Sequence, residues 1–138
     1  MNKLLFLILG LMVQAIAGAC VPELPQGANK KIQTIVTPSY ALSFMTVPET
    51  VKVGESFSID WGVCVSDRSV SELRSVSVDA FMPEHNHGMN DKPTIIDKGH
   101  GLYHADGLMF HMSGQWDYIF ILRTESSVAR LSKKVWLK

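Results

Sequence analysis

Apolar and polar residues alternate along most of this chain with a period of two. Phe57, Ile59, Trp61, Val63 and Val65 are separated by Ser58, Asp60, Gly62 and Cys64. Successive side chains of a strand point to opposite faces, so this run predicts a half-buried β-strand. Its phase puts Cys64 on the face away from the aromatic core. Val76, Val78, Ala80 and Met82 alternate with Ser75, Ser77, Asp79 and Phe81 in a second strand. Trp116, Tyr118, Phe120 and Leu122 alternate with Gln115, Asp117, Ile119 and Ile121 in a third, and Val128 to Leu137 gives a fourth. Shorter candidates are Tyr40 to Thr46, Thr50 to Val53, Thr94 to Asp97, Gly101 to Ala105 and Leu108 to Met112. Turns rich in Gly, Pro, Asn, Asp and Ser separate them.

Short, evenly spaced strands hide their apolar faces best in two packed antiparallel sheets. The expected fold is therefore all-β, an immunoglobulin-like or cupredoxin-like sandwich of about seven strands. A lipocalin-like barrel normally needs a longer chain. Trp61 and Trp116 are expected as core anchors, with Trp136 facing outward. No repeat, heptad or low-complexity tract interrupts the pattern.

The first residues follow a different rule. Met1-Asn2-Lys3 is a short basic start, and Leu4 to Ala17 is apolar except at Gly10 and Gln14. Ala17-Gly18-Ala19 then supplies the small residues that a signal peptidase needs. The organisation expected is a signal peptide over 1–19, an arm or tether over 20–39 and a sandwich domain over 40–138. The apolar run is too short to persist as a membrane span, and nothing after Cys20 approaches spanning length. The protein is expected to be exported, to a periplasm or to the bacterial envelope.

Cys20 admits two fates. Ala17-Gly18-Ala19-Cys20 resembles a bacterial lipobox, with Ala17 where leucine is usual, and a lipid on Cys20 would be the only membrane attachment. The same residues also form an ordinary Ala-x-Ala cleavage site. Cys64 is the only other cysteine, so a Cys20–Cys64 disulfide in an oxidising compartment is the rival reading. Loss of Lys3 with the signal leaves the basic residues one short of the 13 acidic ones. That balance offers no electrostatic footprint for nucleic acid.

Candidate chemistry is concentrated in one stretch. All five histidines lie between His85 and His111, and Met82, Met89, Met109 and Met112 fall in or beside that span. Imidazole and thioether donors together suit copper, the cuprous ion above all, and zinc less well despite Glu84 and Asp91 nearby. Pro83 ends the second strand because it has no amide hydrogen to give to a ladder. In an extended backbone His85, His87 and Met89 would project to one side. Met109 and His111 share a face of the later strand, while Met112 sides with Leu108 and Phe110. The metal ligands expected are His85, His87, Met89, His111 and Met112. His100 and His104 are spaced too poorly around Gly101 to join them. The competing reading makes the same loop a metal-free cap whose histidines bond the backbone.

Met82-Pro-Glu-His-Asn-His-Gly-Met89, Gly101-Leu-Tyr103 and Gly107-Leu-Met-Phe-His-Met-Ser-Gly-Gln-Trp116 resemble the YtkA-like domain family. The resemblance spans roughly Val51 to Leu137. Ser113 stands where the family is expected to carry proline. Members are small exported modules related to FixH-like proteins linked to the copper supply of respiratory oxidases. The resemblance thus implies a β-sandwich and a copper role. No enzyme is expected, since the chain lacks His-Glu-x-x-His, Gly-x-Ser-x-Gly and a glycine-rich phosphate loop. A blue-copper carrier would need a cysteine near His111 and Met112, and Cys64 is far from both. Two readings stand: an exported copper-binding accessory that passes its ion to an acceptor protein, and an immunoglobulin-like interaction module of an envelope complex.

Overall fold

A computed structural model describes residues 20–24 and 31–138. The export signal expected over 1–19 lies outside them. Nine strands form two antiparallel sheets, and no helix occurs among the described residues. The strands are β1 (Gln33–Val36), β2 (Tyr40–Val47), β3 (Ser56–Val65), β4 (Ser75–Met82), β5 (His87–Gly88), β6 (Thr94–Gly99), β7 (Leu102–Met109), β8 (Gly114–Arg123) and β9 (Val128–Leu137). One sheet has the order β1-β2-β3-β7-β6 and the other β5-β4-β8-β9. The expected β-sandwich is the observed fold.

Its core is what the alternation predicts. Phe57, Ile59, Trp61 and Val63 of β3 are buried, as are Val78, Ala80 and Met82 of β4. Trp116, Tyr118, Phe120 and Leu122 of β8, the neighbour of β4, are buried with them and face the β3 residues across the sandwich. Phe44 meets Tyr118 and Phe120 with ring centroids 5.4 and 5.0 Å apart, and Trp61 meets Phe120 at 5.2 Å. These offset and edge contacts are the arrangements aromatic rings prefer. Each such side chain contributes roughly 1.5–3 kcal/mol by leaving water. Trp136 points outward and is 71% exposed.

Three details differ from the pattern-based reading. Part of the stretch expected as a free arm is β1, whose Ile35 pairs with Leu42 and packs on the core. The segment Thr50 to Val53 forms no strand and leads into a turn at Gly54. Gly101 to Ala105 and Leu108 to Met112 are not two strands, since β7 runs unbroken to Met109. Gly107 suggested a break there, but a glycine at φ +88° fits inside the strand as an irregularity against β3. β5 was not among the expected segments, and the observed count is nine strands where about seven were expected.

Gly101, at φ +74°, closes the β6–β7 turn, where its carbonyl accepts the Val63 amide at 2.9 Å. A Cβ there would stand 2.5 Å from the Val63 carbonyl oxygen. Backbone cannot move aside as a flexible side chain can, so glycine is required on two counts.

Candidate metal centre

The site lies where the chain changes sheets. Met82 ends β4, and Pro83–Asn86 turn the chain back so that His87 pairs with Met82. Asn86 takes a positive φ of 53°, which asparagine tolerates better than most residues. β5 is only two residues long, and the chain then crosses through Met89–Pro93 to β6 of the other sheet. The return crossing is Phe110–Ser113, from the end of β7 to the start of β8. Both crossings run at the same end of the sandwich, which brings two distant sequence segments together.

Three imidazoles follow one another there. The ring centroids of His85 and His87 are 5.9 Å apart, and those of His87 and His111 are 4.9 Å apart. Trp116 is fully buried beneath the second pair, with centroids 5.5 Å from His87 and 5.2 Å from His111 in edge-on contact. Its Nε1–H donates to the Met112 carbonyl at 3.1 Å, which fixes the crossing that carries His111. Phe110 packs on the indole from within, at 4.9 Å. The two histidines therefore rest on a rigid aromatic floor.

Met89, Asn90, Asp91, Gly107, Met109 and His111 line one small recess of about 30 Å³. A volume of that order holds a single water-sized occupant. Met109 is 42% exposed, on the face of the chain away from the buried Leu108 and Phe110. Sequence reasoning left Met109 out of the ligand set. The signal was available, because Met109 shares a strand face with His111. Met112 is the reverse case. It was expected as a ligand, but it packs against the hydrophobic core beside Leu108 and Phe110 and does not line the recess. The physical reason is parity, since the side chains at 108, 110 and 112 all turn inward.

His87 Nδ1 lies 3.1 Å from the Gly88 carbonyl oxygen. That oxygen can only accept, so Nδ1 is the donor of this bond and Nε2 is the ring nitrogen it leaves unengaged. Metal-ligating histidines are commonly oriented by this kind of bond. His85 is exposed at the tip of the turn. His100 occupies the β6–β7 turn with φ 55°. His104 is on the outer face of its sheet, where Nδ1 is 2.6 Å from Asp60 Oδ1. Neither joins the cluster, in line with their spacing. Among the described residues, no three His, Cys, Asp or Glu side chains are grouped to hold a metal.

The other sequence-singled pair is bonded: Cys20 and Cys64, 44 residues apart, form a disulfide. Cys64 is on the outward face of β3, as its phase predicts.

The YtkA-like family model matches residues 40–120. The chain belongs to the YtkA-like family. The match takes in the turn carrying His85 and His87 as well as the crossing carrying His111, so the whole candidate centre is part of this YtkA-like domain. Among solved structures, a DUF4426 family protein from Pseudomonas aeruginosa PAO1 is similar at a TM-score of 0.46 and 6% identity, covering 78% of this chain and 96% of that one. No curated protein matches the chain.

Proposed function

We propose that this YtkA-like domain is an exported, non-enzymatic copper accessory that carries Cu(I) and releases it to an acceptor protein. The ion is its cargo, held by His87, His111, Met89 and Met109, with His85 at the rim. The observation that supports this reading is convergence: two separate crossings bring His87 and His111 to 4.9 Å and line one recess with Met89, Met109 and His111. All four donors are neutral, and soft sulfur with imidazole suits the cuprous ion over hard divalent ones. Zinc sites rely on thiolate, imidazole and carboxylate, and that grouping is missing among the described residues. Neutral thioethers also release their ion more readily than thiolates, as a carrier requires.

The second reading, a metal-free interaction module of a cell-envelope complex, also has an observation on its side. His87 and His111 pack on Trp116, and His87 bonds the Gly88 carbonyl, as residues of a structural loop would. One experiment separates the two. The domain is titrated anaerobically with Cu(I) against a chromophoric chelator, in parallel with zinc, for wild type and for His87→Ala with Met89→Ala. A carrier holds one equivalent of Cu(I), and the double substitution weakens it by tenfold or more, about 1.4 kcal/mol. Its metal-free melting temperature then stays unchanged. A lowered metal-free melting temperature with unaltered chelator competition would favour the structural loop.

A further inference from the structure

We propose that Cys20 is a disulfide residue and not a lipid attachment site, so that the mature domain is released with its N-terminal arm strapped along the outer face of β3. Three successive contacts support a built seat for this arm. Cys20 is bonded to Cys64. Two residues on, Pro22 lies against Gly62, where an added Cβ would come 2.7 Å from Pro22 Cβ and 2.9 Å from Leu102 Cδ2. Two residues further, Leu24 is only 3% exposed and lines a recess with Asp60, Trp61, Lys98, Leu102 and Tyr103.

Cys20, Pro22 and Leu24 thus follow Cys64, Gly62 and Asp60 in alternate steps along one strand. A disulfide alone would need only Cys64. The missing side chain at 62 and the covered apolar residue at 24 are separate features, and both serve a docked arm. Acylation would consume the same sulfur, because a lipidated cysteine carries its diacylglycerol through a thioether. The two fates exclude each other.

The chemistry balances without lipid. Hydrolysis of the Ala19–Cys20 peptide bond frees the Cys20 amine, and Ala17-Gly18-Ala19 supplies the small residues for that cut. One cysteine thiolate attacks the disulfide of an envelope thiol–disulfide oxidoreductase to give a mixed disulfide. The second thiolate displaces the enzyme, which leaves as the dithiol carrying two electrons and two protons. The strap closes on the Asp60–Cys64 part of β3. The Ser56 end, paired with Met109, stays clear. Redox change at the cysteines therefore acts on the arm and leaves the His/Met recess open.

The test uses the full chain expressed in a bacterium with intact lipoprotein processing, and needs no metal. Intact mass is measured on the mature protein before and after reduction. The expected result is a chain starting at Cys20 in the soluble envelope fraction, gaining two hydrogens on reduction. A mass raised by a diacylglycerol, with the protein in the membrane fraction, would overturn the proposal. An unacylated chain with two free thiols would overturn it equally. Gly62→Val keeps the signal and both cysteines but fills the seat. It should leave a larger alkylatable thiol fraction than wild type, and equal oxidation would refute the seat.

Discussion

Cutting the Cys20–Cys64 bond should cost this domain a large part of its stability. The bridge closes a loop of 44 residues. In the chain-entropy account such a closure removes about 13 cal/mol/K from the unfolded ensemble, or about 4 kcal/mol at 25 °C. If the arm then lifts off, burial of Leu24 is lost as well, a further 1.5–3 kcal/mol or so. A domain of this size holds roughly 5–15 kcal/mol in total. With an unfolding entropy of about 0.2 kcal/mol/K for some hundred ordered residues, the melting temperature should fall by roughly 20 °C from the loop closure alone, and by about 30 °C if the arm lifts as well. The assay is a thermal melt by circular dichroism of the mature domain, oxidised and reduced, with Cys20→Ser/Cys64→Ser as a reductant-free control. Reduced protein and double variant should melt together, well below the oxidised form. Equal melting of oxidised and reduced protein would refute the reasoning, because the loop would then already be constrained without the bridge.

Gly101→Ala should destabilise by about 2–3 kcal/mol, since it forces a positive φ on alanine and drives Cβ into the Val63 carbonyl; a denaturant midpoint like that of wild type would contradict this. Burial raises the Tyr118 phenol well above its ordinary value, and burial followed by the Asp97 charge raises Tyr103. Both groups are neutral and fully stabilising below the unfolded value of about 10. Their contribution is lost as pH climbs above it, so the denaturation midpoint should hold to about pH 9.5 and then fall, less steeply in Tyr118→Phe. A flat profile to pH 11 would be inconsistent with that burial. Met109→Leu should weaken Cu(I) binding by about tenfold with little change in melting, because its side chain is largely exposed. Met112→Leu should leave the affinity alone; the opposite ranking would restore Met112 to the ligand set.

The sandwich was legible because burial on one face writes a period of two into β3, β4 and β8. Each of these strands carries aromatic or branched residues at alternate positions, and nothing in their local composition competes. Where the pattern was weak, the reading failed for physical reasons. β1 alternates only over four residues, and its half-exposed edge position leaves little apolar signal. Gly107 resembled a break because glycine usually punctuates strands, yet β7 absorbs it at a register shift opposite β3. β5 has two residues and exists only because the turn Pro83–Asn86 folds His87 back onto Met82. No periodicity can announce a strand that short.

The candidate centre shows a different limit. Composition marked the stretch from His85 to His111, but composition cannot say which members meet. That is decided by topology: the β5–β6 and β7–β8 crossings leave opposite sheets at one end, so residues near 87–91 face residues near 109–111 across the gap. Strand parity then sorts the methionines. Position 109 is odd relative to the core residues 108 and 110, which turns its sulfur towards the gap, while 112 turns inward to the core. The same parity is present in the sequence, but only the opposing crossing gives a reason to rank an outward methionine above an inward one. His104 illustrates the converse. It lies within the histidine-rich stretch, yet its strand places it opposite Asp60 on the outer face, where it pairs with a carboxylate instead of the other imidazoles. Proximity in sequence selects candidates for a metal site, and only the sheet register says which of them can share an ion.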